Sequence, residues 1–102
     1  MLEFEWDPDK ARSNQRKHGV SFEIARYVFE DPDALVDSDR IEGLERRWQT
    51  LGLVGGTLLL LVAHTIDLED EEKEIIRIIS ARRADRKEKQ RYEEERRKNR
   101  HR

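Results

Sequence analysis

Hydrophobic residues alternate with glutamates over residues 2–6, and this period of two predicts a strand with one buried face. A helix is predicted over residues 8–18, because an Asp-Pro pair suits its start and Gly19 suits its end. Residues 22–30 follow a serine and carry apolar side chains at helical spacing, which predicts a second helix. The chain therefore begins with one strand and two helices.

The rest of the chain predicts four strands and one charged helix. The strands are expected at residues 34–37, 46–51, 57–65 and 74–80. A Gly-Gly pair predicts a hairpin between the second and third of these, and an acidic loop is expected at residues 67–73. From Arg82 onward, opposite charges four residues apart predict a helix. The order predicts an α+β fold, with an antiparallel sheet of four to five strands, two N-terminal helices packed on one face and a charged C-terminal helix.

Composition limits this fold to a small core. The 102 residues suit a single domain over 1–102, whose end from about residue 95 is expected to fray. Charged residues make up 43% of the chain and hydrophobic ones 35%, so most of the surface is charged. The absence of cysteine excludes disulfides and fits a reducing cytoplasm. No signal peptide is recognised, and the longest apolar run, at residues 58–63, is far too short to span a membrane. A cytoplasmic protein is expected.

The small net charge hides an asymmetry between the two parts of the chain. Residues 1–80 contain 18 acidic and 10 basic residues, whereas residues 81–102 contain 5 acidic and 11 basic ones. A basic C-terminal segment is typical of polyanion binding, but it is also typical of a solvated helix with many ion pairs. Charge alone favours the second interpretation.

Two pairs of polar residues suggest chemistry but have ordinary structural explanations. Lys17 and His18 suit the negative C-terminal end of a helix, and the same position would let His18 exchange a proton near neutral pH. Glu45 and Arg47 are expected on the outer face of one strand, where such pairs are more often weak surface ion pairs than catalytic groups. The structural interpretation is favoured for both pairs.

Arg77 is more informative, because it interrupts a strand that is otherwise rich in isoleucine. An arginine keeps its charge and so needs water or an anion. The sequence therefore fits an exposed sheet face and an anion site equally well. Ser80, Arg82 and Arg83 follow at the expected junction between strand and helix, where guanidinium groups suit phosphate. His64 ends an apolar strand and is interpreted as structural. Three scattered histidines do not predict a metal site.

These segments, taken in order, resemble the BrnT family of toxins. The resemblance rests on Phe4-Glu5-Trp6-Asp7-Pro8, Asn14, Lys17-His18-Gly19-Val20, Phe22-Glu23, Ala25, Val28-Phe29, Glu45-x-Arg47-Trp48, Gly52, Ile76-Arg77-Ile78-Ile79-Ser80-Ala81-Arg82-Arg83-Ala84, Glu88 and Tyr92. It spans residues 2 to about 94. This sequence departs from the pattern after Thr65, where relatives often carry an arginine and this chain has an acidic segment. Any phosphate contact from that segment is therefore in doubt.

The resemblance implies a RelE-like fold and an endoribonuclease that inhibits translation, needs no metal or other cofactor, and acts on RNA. It also implies a DNA-binding antitoxin of the BrnA type, which forms a hetero-oligomer with the toxin and carries it to operator DNA. The expected catalytic residues are His18 as base or acid, Lys17, Glu45, Arg47 and Arg77. The expected RNA contacts are Ser80, Arg82 and Arg83.

Two other functions fit the same residues. One is a non-catalytic module whose basic helix binds RNA or a protein. The other is an inactive relative that serves as a corepressor with its antitoxin. RNA cleavage in the presence of a chelator separates an enzyme from a binding module, and growth arrest without the antitoxin separates a toxin from a corepressor.

Overall fold

The computed structural model of the chain describes residues 2–70 and 72–100. Its strands are β1 (Leu2–Glu5), β2 (Leu35–Glu42), β3 (Glu45–Val54), β4 (Leu58–Asp70) and β5 (Lys73–Arg83). Its helices are α1 (Pro8–His18), α2 (Phe22–Ala25) and α3 (Arg86–Arg100), with a 3₁₀ helix at Arg26–Glu30 directly after α2. The α+β class and the predicted order of elements are confirmed. The second predicted helix is shorter than expected, because its last turns tighten into the 3₁₀ form.

The strands form one mixed sheet in the order β1-β5-β4-β3-β2. The pairs from β2 to β5 are antiparallel, but β1 runs parallel to β5, with Phe4 beside Ile76. The prediction of a purely antiparallel sheet is therefore wrong. Short turns favour antiparallel neighbours only for strands that follow one another directly. Because β1 is separated from β5 by nearly the whole chain, no such turn determines its direction.

The strands of the second half extend well beyond their predicted ends. The acidic segment that was predicted as a loop, residues 67–73, lies largely in strands, since Leu68 pairs with Glu74 and Asp70 with Lys73. Strand β5 also continues through the predicted start of the last helix, because Leu60 pairs with Arg83. The hydrophobic pattern missed these ends because the acidic segment is exposed on both sides, and such strands lack an apolar signal.

Local capping determines the ends of α1 and the start of α2. The Asp7 side chain accepts a hydrogen bond from the backbone N–H of Asp9, and Ser21 caps α2 through the N–H of Ile24. Gly19 ends α1 in the left-handed conformation, with φ of 69°, which residues other than glycine rarely adopt.

A buried asparagine joins α1 to the edge of β5. The Asn14 amide nitrogen donates to the carbonyl oxygens of Val20 (3.1 Å) and Ala81 (2.8 Å), and its oxygen accepts from the N–H of Ala81 at 3.1 Å. The side chain thus satisfies backbone groups of β5 that β1 does not reach, since β1 pairs only with Glu74 to Arg77. This contact fixes α1, and with it His18, along the sheet edge.

The core lies between the N-terminal helices and one side of the sheet, which we call the helix-covered face. The buried residues there are Val20, Phe22, Ala25, Val28, Leu60, Val62, Ile76, Ile78 and Ala81. The 3₁₀ helix approaches β3 so closely that a Cβ on Gly52 would lie 2.8 Å from the Cβ of Val28. Residues on alternate positions point to the opposite side, which we call the open face.

Helix α3 begins four residues later than predicted, at a reciprocal cap. The N–H of Glu88 donates to the Asp85 carboxylate and the N–H of Asp85 donates to that of Glu88, both at 2.8 Å. Tyr92 is buried, and its hydroxyl donates to Asp31 Oδ2 at 2.5 Å. An ion pair from Arg91 to Asp37, at 2.6 Å, adds a further contact with the sheet. These contacts place α3 over one end of the open face. The helix continues to Arg100, so the fraying expected from about residue 95 stays a prediction, and residues 101–102 lie outside those described.

Candidate functional site on the open face of the sheet

Arg47 and Arg77 lie on the same side of the sheet. Trp48 pairs with His64, whose ring packs on Phe29 in the core, so the preceding Arg47 points to the open face. Arg77 pairs with Thr65, one residue beyond His64, and it also points there. Strand β4 lies between β3 and β5, but its pairing with β3 ends at Trp48, so Arg47 lies one residue beyond the paired part of the sheet. Two guanidinium groups on one face suit the phosphates of a nucleic acid.

Arg77 is exposed and makes no ion pair with another described residue. Its neighbours in the sheet are Thr65 on β4 and Glu5 on β1, both in direct register. It lines a cleft of about 520 Å³ together with Glu45 and Asp67. Because its guanidinium is not held by a carboxylate of the described chain, Arg77 has its donors available to an anion.

Arg47 is held more tightly than Arg77. Its Nη2 lies 2.9 Å from Glu42 Oε2, and its Nε lies 4.0 Å from Glu45 Oε1. The same Nε is buried and makes no hydrogen bond to the described part of the chain. The predicted Glu45–Arg47 pair thus shares one face, as expected, but Glu42 is the nearer partner. Arg47 is therefore anchored to the β2–β3 hairpin through Glu42.

Lys17 and His18 lie in a separate, smaller pocket at the end of α1. This pocket of about 190 Å³ is also lined by Asn14, Ile79 and Ser80. It shares no residue with the cleft beside Arg77. The structure therefore does not place His18 in the cleft that Arg77 lines, and Arg47 lines neither of these two cavities.

Ser80 connects the two areas, because a bulge in β5 changes which side chains point outward. The register shifts at Ile79, so Ser80 pairs with Ala63 while Arg77 pairs with Thr65. Ala63 and Thr65 lie two residues apart on β4 and share the open face, and Ser80 and Arg77 therefore share it too. Arg77 and Ser80 are therefore successive residues of β5 on the open face, and Ser80 also lines the pocket that contains His18.

Arg82 and Arg83 do not form the predicted anion site at a helix start. Both are in β5, where they point to opposite faces because they are consecutive strand residues. Both terminal nitrogens of Arg82 contact the Glu88 carboxylate at 2.8 Å, and this bond raises the pKa of Arg82 and lowers that of Glu88. Arg82 thus links β5 to α3, and Arg83 points away from the open face.

His64 is a buried structural residue. Its Nε2 and the hydroxyl of Thr50 are 2.7 Å apart, and its ring packs edge-on against Phe29 with 4.9 Å between centroids. Burial lowers the pKa of His64 to about 4, although a hydrogen bond to the Thr65 carbonyl opposes this slightly. The imidazole is therefore neutral at pH 7 and has no access to a substrate.

Sequence reasoning missed three members of the open face, namely Glu5, Thr65 and Asp67. Glu5 was treated only as the polar half of an alternating strand, and its place beside Arg77 depends on the parallel pairing of β1 with β5. Thr65 and Asp67 were assigned to a strand end and a loop. Only the register of the long β4–β5 hairpin shows that they lie beside Arg77.

Two further properties concern the described residues as a whole. No group of three or more histidine, cysteine or acidic side chains in these ranges has the arrangement needed to hold a metal ion. None of the helices found there is both long and apolar enough to cross a membrane.

A protein-family model matches most of the chain. The matching family model is described as the ribonuclease toxin, BrnT, of type II toxin-antitoxin systems, and it matches residues 6–88. The class is therefore that of type II toxins of the ribonuclease kind. The chain belongs to the BrnT family, which confirms the resemblance seen in the sequence. No curated protein matches this chain in sequence.

A solved structure supports the same assignment at the level of the fold. The crystal structure of the ribonuclease toxin BrnT from Brucella abortus superposes with a TM-score of 0.65, covering 84% of this chain and 100% of that one. The two sequences are 20% identical over this match. At this identity the similarity establishes a shared fold.

Proposed function

We propose that this chain is an active endoribonuclease that cleaves RNA without a metal ion, and that Arg77 is its main phosphate ligand. The observation that carries this proposal is the exposed guanidinium of Arg77, which no described carboxylate engages, on the same sheet face as Arg47. Two other arginines beside this face are paired, Arg82 with Glu88 and Arg91 with Asp37. An unpaired guanidinium on an acidic protein suits a bound phosphate.

The chemistry requires three groups around one phosphate. A base removes the proton of the ribose 2′-hydroxyl, the 2′-oxygen attacks phosphorus, and an acid gives a proton to the leaving 5′-oxygen. Arg77, with Arg47 on the same face, stabilises the negative charge of the pentavalent phosphate. His18, which lines a separate pocket together with Ser80, supplies the base or the acid with Lys17 beside it, and Glu45 orients Arg47. Ser80 lies between these areas and positions the RNA backbone.

The test uses purified toxin, a labelled single-stranded RNA and an excess of EDTA. The wild-type chain is expected to cleave the RNA in chelator, and Arg77→Ala and His18→Ala are each expected to lower the rate by about 100-fold or more. Arg97→Ala, on the exposed side of α3, is the matched control, because Arg97 lines neither the cleft beside Arg77 nor the pocket beside His18. If both active-site variants cleave as fast as the control, the assignment is wrong.

We further propose that the partner is a DNA-binding antitoxin of the BrnA type, which neutralises the toxin in the cytoplasm and binds operator DNA for the complex. Family membership supports an antitoxin partner. Co-expression of the toxin with the neighbouring reading frame is expected to relieve growth arrest and to yield a complex that binds operator DNA. If expression without the antitoxin causes no growth arrest and the complex still binds DNA, a corepressor is favoured instead.

A further inference from the structure

Two hairpins of the sheet separate from each other at one end. Pairing between β3 and β4 ends at Trp48 and His64, although β2 and β3 stay paired to Glu45 and β4 and β5 to Asp70. Beyond that point, residues 45–47 of β3 and 65–70 of β4 are not paired with each other, and no other strand of the described chain fills the gap. We call this gap the fork.

The fork contains the cleft of about 520 Å³ that was described above. Leu44 and Arg46 line one wall, Ile66 and Asp67 line the other, and Arg77 lies at its base. The cleft therefore reaches from Leu44, at the tip of the β2–β3 hairpin, to the proposed phosphate ligand.

Both walls present unpaired strand edges and exposed apolar side chains. A strand without a neighbour on one side leaves backbone N–H and C=O groups available to another chain. Leu44 at the tip of the β2–β3 hairpin is fully exposed, and Leu68 on β4 is 66% exposed. Large apolar side chains that are exposed beside an open edge are typical of protein interfaces.

The charge of the fork indicates which partner fits. The described residues 66–70 and 72–74 contain five acids and one lysine, and that lysine is already held by Glu3 and Glu69, at 3.0 and 3.2 Å. The cleft itself is lined by three acids, Glu5, Glu45 and Asp67, against Arg46 and Arg77. This potential attracts a basic peptide and repels the phosphates of RNA. RNA is thus favoured over the open face near Arg77 and Ser80, and a peptide is favoured between the hairpins.

We propose that the antitoxin neutralises this toxin by inserting an extended, basic segment into the fork as an added strand along β4. Alternate apolar side chains of that segment contact Leu44, Ile66 and Leu68, and its lysines or arginines contact the acidic side chains such as Asp67. The inserted segment covers Arg77 and so blocks access of RNA to it. This mode of inhibition rests on the proposed ribonuclease site, whereas the binding itself does not.

The first experiment compares hydrogen exchange of the free toxin with that of the toxin bound to its cognate antitoxin, co-produced from the neighbouring reading frame. We expect the amides of residues 45–47 and 66–70 to become protected in the complex. Unchanged exchange in both segments would overturn the proposal. Protection of the same amides by a non-cleavable 2′-O-methyl RNA, and not by the antitoxin, would also overturn it and assign the fork to RNA.

The second experiment measures antitoxin affinity by calorimetry in two fork variants. Leu44→Ser/Leu68→Ser is expected to bind about 30-fold more weakly or worse, because two exposed leucines no longer become buried. Asp67→Lys is expected to slow association, with the difference shrinking at high salt. Ile24→Ser and Glu23→Lys are the matched controls, since both residues are exposed on α2 away from the fork. Equal affinity of the fork variants and their controls contradicts the proposal.

A third measurement separates this proposal from the ribonuclease assignment. The double leucine variant is expected to cleave RNA like the wild type but to escape neutralisation by the antitoxin. A chain that cleaves no RNA, yet loses antitoxin binding in that variant, refutes the ribonuclease proposal and leaves the fork interface supported.

Discussion

Glu5 and Arg77 are direct neighbours on parallel strands, and both side chains line the cleft at the base of the fork. The two side chains do not form an ion pair within 4.0 Å, although adjacent strands are only about 4.8 Å apart. A carboxylate at this distance lowers the local positive potential that a phosphate would meet. The electrostatics of the proposed site therefore depend on Glu5 as well as on its arginines.

We predict that Glu5→Gln tightens RNA binding. At about 5 Å in a solvated cleft, one unit charge changes the interaction with a phosphate by less than 1 kcal/mol, which corresponds to about threefold in KM. Steady-state cleavage of a short RNA at 50 and 200 mM salt checks this, and the gain is expected to shrink at the higher salt. Glu30→Gln, an exposed glutamate at the end of the 3₁₀ helix, is the control. A fall in kcat with unchanged KM would instead make Glu5 a proton-transfer group.

The buried imidazole of His64 makes stability depend on pH. Its pKa in the folded chain is about 4, below the ordinary value of 6.5, so the unfolded chain binds the additional proton. The stability contributed by neutral His64 is therefore fully present above pH 6.5 and is lost as the pH falls towards 4. For this shift the loss amounts to about 3 kcal/mol.

Urea unfolding at several values of pH between 7 and 4.5 measures this loss. His64→Gln is expected to be less stable at pH 7 but to show a flatter pH dependence than the wild-type chain. An NMR titration of the His64 ring protons in the wild-type chain is an independent check. A midpoint near 6.5 for those protons would contradict the prediction.

The anchoring of α3 through Tyr92 gives a third prediction. Burial alone would raise the pKa of Asp31, but hydrogen bonds from the Tyr92 hydroxyl and the N–H groups of Leu53 and Asp33 outweigh it and lower that pKa. Tyr92→Phe removes one of these donors from a partly buried carboxylate, so we expect a loss of about 1–3 kcal/mol in unfolding free energy. Tyr27→Phe is the matched control, because that hydroxyl is exposed and only accepts a bond from Arg26. Equal stability of the two variants would show that the Tyr92–Asp31 contact contributes nothing.

The sequence predicted the local features of this fold better than its long-range ones. Helix ends at Asp7 and Gly19 depend on neighbouring residues, and they were predicted correctly. The parallel position of β1 beside β5 was not, because no pattern within residues 2–6 encodes a partner some 70 residues away.

The same distinction applies to the site. Alternation along β3 correctly predicted that Glu45 and Arg47 share a face. The junction proposed for Ser80, Arg82 and Arg83 failed because β5 continues to Arg83 and contains a bulge at Ile79. An inserted residue reverses the orientation of all side chains beyond it, and nothing in the isoleucine-rich sequence indicates where the insertion lies.

Asn14 gives the last prediction, because one side chain connects the helix that carries His18 to the strand that carries Ser80. Asn14→Ala leaves the N–H of Ala81 without its acceptor, and we expect a loss of about 2–4 kcal/mol. Asn14→Asp can still accept from that N–H but turns its other oxygen toward the carbonyls of Val20 and Ala81, which repel a carboxylate.

That repulsion raises the pKa of the introduced Asp in the folded chain above its unfolded value. The folded chain therefore binds the additional proton, and the stability of Asn14→Asp is expected to increase relative to Asn14→Ala as the pH falls from 7 to 5. Thermal unfolding at both pH values measures this, with the exposed Gln15→Glu as a control for adding one acid to α1. If Asn14→Asp matched Asn14→Ala at every pH, the side chain would not face these carbonyls, and His18 would lack the attachment that holds it beside Ser80.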